Sequence, residues 1–91
     1  MENKKIKYRV RDLLTGMYQD SGFDKWNYEP KWSDKGKSWS SLDDLKIHFR
    51  ALEEHRITLS SLWEIVEIEK VGRKETELSK YPASVLTSKK K

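Results

Sequence analysis

Residues 31–39, KWSDKGKSW, set two tryptophans and three lysines around a glycine turn. Indole faces stack on planar ligands, at roughly 1–3 kcal/mol per base, and ammonium groups hold phosphate or sit over the rings. The same pairing of rings and bases extends upstream through Tyr8, Arg9, Arg11, Tyr18, Phe23, Lys25, Trp26 and Tyr28. The chemistry on offer is recognition of a nucleotide, polymeric or cyclic, or of a macromolecular partner. The candidate ligand-binding residues are Arg9, Arg11, Trp26, Tyr28, Trp32, Lys35 and Lys37. Trp39 and Trp63 fall in regular elements and are expected in the core. Trp32 is expected half exposed, walling a site with Trp26, Tyr28 and Lys37.

Gly36-Lys37 is not a phosphate-binding P-loop, because Lys31 stands where that motif needs its first glycine. A glycine turn beside a helix start can still hold an anion. Against this, Asp43 and Asp44 open the following helix, and an ordinary lysine-solubilised turn accounts for the stretch.

Catalytic groups are sparse. The chain has no cysteine and two histidines, His48 and His55, seven residues apart. No nucleophile motif surrounds either histidine. The acid pairs Asp43-Asp44 and Glu53-Glu54 lie on a helix, where neighbours diverge by about 100° and make no acid/base dyad. Glu64, Glu67 and Glu69 have no histidine nearby to complete a metal site. The expectation is a non-enzyme with no catalytic residues, no metal and no cofactor.

Ninety-one residues make one domain, and about 60–65% of its unfolded surface is open to burial at that size. The charged fraction is 37% against 35% hydrophobic, so the four tryptophans must do much of the burying. The net charge of +4 is uneven: +3 over residues 1–40, −3 over 41–71 and +4 over 72–91, which end in TSKKK. No apolar run approaches the roughly 20 residues of a membrane span, and MENKKIKYRV lacks an apolar signal core. A cytoplasmic protein with no membrane partner is expected.

KIKYRVR, residues 5–11, alternates strictly, with Ile6, Tyr8 and Val10 on one face and Lys5, Lys7, Arg9 and Arg11 on the other. Gly16 suits a hairpin turn into a second strand from Met17. Residues 20–30 have no clear period and read as an aromatic loop. A turn at Asp34–Gly36 and a short strand at Lys37–Ser40 follow. Ser41 is a helix N-cap, Asp44 occupies the capping-box position, and Leu42, Leu45, Phe49 and Leu52 mark one buried stripe, flanked by Ile47 and His48, in a helix to about His55. WEIVEIEKV, residues 63–71, reads as a strand whose pattern slips: Trp63 and Ile65 share one face, Val66 and Ile68 the other. That implies a bulge or two covered faces, for instance at a homodimer interface. The expected fold is α+β: a small antiparallel sheet of three to four strands packed against one amphipathic helix. Its parts are a flexible start (1–4), a single domain (5–71) and a polar, basic, partly disordered tail (72–91).

YRVRD..TGMYQD, W..KGKSW..L..LK.HF and WEIVEIE together resemble a set of small bacteriophage accessory proteins, over about residues 6–70. Within that set the chain is similar to the Thoeris anti-defence sponge proteins, which capture cyclic nucleotide signals without cleaving them. The resemblance implies a counter-defence inhibitor in the host cytoplasm, with a host protein or a cyclic nucleotide as its partner. The layout of three antiparallel strands and a helix also resembles the arm-binding and AP2-like DNA-binding domains. On that pattern, the basic face of the first strand would contact DNA or RNA, although the helix is acidic.

Overall fold

The computed structural model describes residues 4–24, 26, 29–57 and 60–86. The chain runs β1 (Lys4–Asp12), β2 (Tyr18–Asp24), β3 (Glu29–Ser33), α1 (Leu42–Glu54), β4 (Trp63–Val71), β5 (Lys74–Pro82) and a 3-10 turn at Ala83–Leu86. The strands make one antiparallel sheet in the order β3-β2-β1-β4-β5. The fold is α+β with one helix, and the sheet has five strands rather than three to four.

The helix starts where its capping chemistry dictates. Ser41 is extended, at φ −152° and ψ 160°, and its hydroxyl accepts the Asp44 N–H at 3.1 Å. The Asp44 carboxylate does not close a capping box; it accepts from the Ser40 hydroxyl at 3.1 Å. Leu45, His48, Phe49 and Leu52 are buried, whereas Ile47 is 63% exposed. The C-terminus closes as a Schellman motif: Ile57 N–H reaches the Leu52 carbonyl and Arg56 N–H the Glu53 carbonyl, both at 2.9 Å. Ile57 and Leu52 are buried together in the core, as that motif favours. Arg56 occupies the left-handed position, φ +65°, that glycine usually fills.

One face of the sheet carries Val10, Trp63 and Ile65 against Leu45, Phe49 and Leu52 of α1. Trp39, 6% exposed, joins this core, and Trp63 does so at the same exposure. β2 pairs with β1 only at Arg11–Tyr18, and the strands then part. Residues 36–39 enter the gap. Lys37 N–H donates to the Gln19 carbonyl at 3.0 Å, and Tyr8 and Trp39 exchange two backbone hydrogen bonds of 2.8 Å. The short strand expected at Lys37–Ser40 is therefore a single bridge.

Three expectations are corrected. Residues 20–30 are not an irregular loop; β2 and β3 form a hairpin with a bulge between Gln19 and Phe23. Residues 72–82, expected as tail, form a turn and the fifth strand, with Gly72 at φ +60° turning Val71 into Lys74. Ala83 then returns to the core, buried at 2% exposure. Of the expected flexible start, Lys4 begins β1, while residues 1–3 and the lysine run at 89–91 lie outside the described residues. Third, β4 cannot be a dimer interface through its edge, because β1 flanks one side and β5 the other. Its slipped pattern has both expected causes: a register shift against β5 at Glu67/Ile68, and an outer face covered by the chain's own side chains.

Two substitutions check this backbone. Arg56→Gly should raise stability by about 0.5–1 kcal/mol by relieving the left-handed arginine. A methyl added at Gly36 (φ +64°) would meet Tyr18 Cβ at 2.6 Å and the Gln19 carbonyl at 2.8 Å, whereas Gly16 (φ +77°) has open space. Gly36→Ala should therefore cost about 1–3 kcal/mol more than Gly16→Ala in urea melts. Equal losses would place the 36–39 segment elsewhere.

Candidate functional site

Strand register decides which candidate residues share a surface. Directly opposed residues of an antiparallel pair point the same way, so Arg9 lies beside Val66 and Arg11 beside Glu64 and Tyr18 on the face away from the helix. From β1 the two arginines reach across β4 to β5. Arg9 donates to both Glu75 oxygens at 3.1 and 3.3 Å. Arg11 donates through Nε to Glu64 at 2.7 Å and lies 3.6 Å from Glu77. Tyr18 lies between them, its ring 5.8 Å from the Arg9 guanidinium and 5.9 Å from that of Arg11. Its hydroxyl accepts from Arg11 at 3.4 Å.

These two ionic straps close over Val66 and Ile68, which are 1% and 6% exposed. Arginine stems cover the apolar floor while their charged heads meet carboxylates at the rim. Arg9 hydrogen bonds hold the Glu75 carboxyl below its ordinary range, and the charges of Lys70 and Lys35 act in the same direction. Between the straps lies a concavity of about 170 Å³ lined by Arg9, Tyr18, Val66, Ile68, Glu75 and Glu77. Small-molecule sites run from about 300 Å³ upward. Arg9 and Arg11 are thus engaged within the chain, and Arg9 Nε is buried without a partner.

The remaining candidates are spread apart. Trp32 lies opposite Gln19 on the helix side and packs edge-on against Trp63, centroids 5.6 Å apart at 69°. It is half buried, as expected, with its buried part packed against the core. Lys37 places its ammonium 5.9 Å above the Trp39 ring. Lys35 is exposed in the turn. Trp26 sits beyond β2, near the tip of the β2–β3 hairpin, 91% exposed. Tyr28 lies outside the described residues. The described aromatic and basic candidates therefore occupy four places: the strapped outer face, the exposed turn with Lys35, the helix side and the finger tip. Residues outside the candidate ligand-binding set complete the straps: Tyr18, Glu64, Glu75 and Glu77. Only the register could find them, since nothing in their spacing announces which arginine each one faces.

Beneath Trp39 is a buried polar pair. His48 Nε2 and Gln19 Oε1 are 2.5 Å apart, and the imidazole stacks at 4.6 Å on Trp39. Burial, with the nearby charge of Lys37, lowers the His48 pKa to about 4. The Gln19 amide nitrogen is buried without a partner. This is a packing histidine rather than an exposed flank residue. Among the described residues no group of three His, Asp or Glu is placed to hold a metal ion. No described helix is long and apolar enough to cross a membrane.

No known protein family, curated protein or solved structure matches the chain.

The neutral His48 makes stability depend on acid. In the unfolded chain the ring takes a proton near pH 6.5; in the folded chain it resists until about pH 4. Stability should therefore be full above pH 6.5 and fall as pH drops through that window, by about 3 kcal/mol at its lower end. Urea melts at pH 7 and pH 4.5 check this, and His48→Phe should flatten the difference.

Proposed function

We propose that this chain is a non-catalytic binding protein of phage type that blocks a host protein, with the β2–β3 hairpin as its docking finger. Trp26 carries the proposal: a tryptophan 91% exposed near the tip of a hairpin whose strand β2 leaves its neighbour after one pair. An indole in water is costly to keep and valuable to bury, and tryptophan leads the residues that dominate protein interfaces. The counter-defence setting comes from the resemblance to phage accessory proteins.

The engagement of Arg9 and Arg11 weighs against nucleic-acid binding through the first strand. Phosphate would have to displace Glu75 from one arginine and Glu64 and Glu77 from the other. Capture of a cyclic nucleotide asks for rings and bases around one cleft, whereas the Trp32 ring packs edge-on against Trp63 and Trp26 stands exposed near the hairpin tip.

The test is affinity capture from bacterial lysate with wild type and Trp26→Ala, partners identified by mass spectrometry. One partner should be retained by wild type and lost at least about thirtyfold in affinity by the variant, a loss typical of a tryptophan anchor. The variant's melting temperature should stay within about 3 °C, since its ring is exposed. Undiminished capture by Trp26→Ala sinks the finger. Heat of binding to cyclic nucleotides, unchanged in Trp26→Ala, would replace protein blocking with signal sequestration. A salt-steep mobility shift with DNA or RNA that Arg9→Glu abolishes would restore the first-strand face.

A further inference from the structure

The two edges of the sheet are built differently. β3 is five residues long and contains Pro30, and proline has no N–H for an added strand. β5 runs nine residues, its side chains from Lys74 to Lys80 are exposed, and no described strand pairs its outer side. It is an open template for strand addition.

The register against β4 assigns β5 its faces. Glu75, Glu77 and Lys80 oppose Lys70, Ile68 and Val66 on the outer face. Lys74, Thr76, Ser79 and Tyr81 oppose Val71, Glu69, Glu67 and Ile65 on the helix face. Glu77 and Ser79 face consecutive residues of β4, so Leu78 is the extra residue of a bulge, 46% exposed.

We propose that two copies of this chain pair antiparallel along β5, with Glu75 of each against Lys80 of the other. That register also sets Lys74 against Tyr81 and Thr76 against Ser79. Every one of these pairs joins side chains on the same face, on both sides of the bulge. Each occurs twice under the two-fold axis, so the edge is complementary to itself. A slip of one residue in either direction sets outer-face residues against helix-face residues. A slip of two brings Glu77 to Lys80 but draws Pro82 into the ladder. The product is a continuous ten-stranded sheet with a β2–β3 finger at each far end.

Sedimentation equilibrium of the full chain provides the test. Wild type should approach twice the 10.9 kDa of one chain. Lys80→Glu puts two carboxylate pairs in opposition and disturbs no ion pair within the chain, so its dissociation constant should rise by at least about tenfold. Glu75→Lys should dissociate likewise, and an equimolar mixture of the two variants should recover the dimer, because each then supplies what the other lost. Thermal melts verify that both variants fold. Wild type that stays a single chain at millimolar concentration overturns the proposal. So does a dimer indifferent to Lys80→Glu, or rescue of Lys80→Glu by Glu77→Lys in place of Glu75→Lys.

Discussion

The two hydrogen bonds between Tyr8 and Trp39 occupy an edge of β1 that β2 has left, and much else in the molecule follows from that substitution. Trp39 is held flush with the sheet two residues before the Ser41 cap. Its ring therefore drops into the core against His48, and α1 can start only where its stripe covers Val10 and Ile65. Gly36 makes the approach feasible, since no side chain fits between that turn and Tyr18. Released from β1, β2 and β3 are free to project as a finger.

The outer face solves a different problem. A β4 rich in Val and Ile buries side chains on both faces, yet the helix covers one. Long charged side chains complete the other. Exposed ion pairs individually contribute little, about 0–1 kcal/mol. Their effect here is to lay arginine stems over Val66 and Ile68 while keeping the guanidinium charge compensated. Arg9 and Arg11 of the first strand are thus neutralised by Glu75, Glu64 and Glu77, while Lys5, Lys7, Lys70 and Lys80 leave the outer face basic overall. That neutralisation bears directly on function, because the same arginines are then a poor match for phosphate.

Platform and finger divide the work. The strapped sheet and its single helix form a rigid base, with rings interlocked from Trp32 through Trp63 and Phe49 to His48 and Trp39. The hairpin carries an indole that is 91% exposed. On the proposed reading, the contact with a partner sits on the projecting hairpin and the stability in a core of tryptophans.

Local signals were strong enough to be read from the sequence. Alternation named β1, Ser41 with its acidic first turn named the helix start, and the 3-4-3 spacing named its buried stripe. The slipped pattern of residues 63–68 pointed to a bulge or to two covered faces, and β4 has both. Polar strands were not legible. KETELSKY has no apolar face to alternate, because it is an exposed edge whose inward contacts are salt bridges. DSGFD was hidden by its bulge and glycine. The arrangement of the candidate site was decided only by tertiary structure. Residues 9, 11, 64, 75 and 77 meet through strand register, and register is set by backbone pairing and by which faces are buried, not by the charges themselves. The sequence determined which groups exist and their local conformation. Only the pairing of distant strands decided that Arg9 and Arg11 would be spoken for, that Trp32 would pack, and that Trp26 would stand in water.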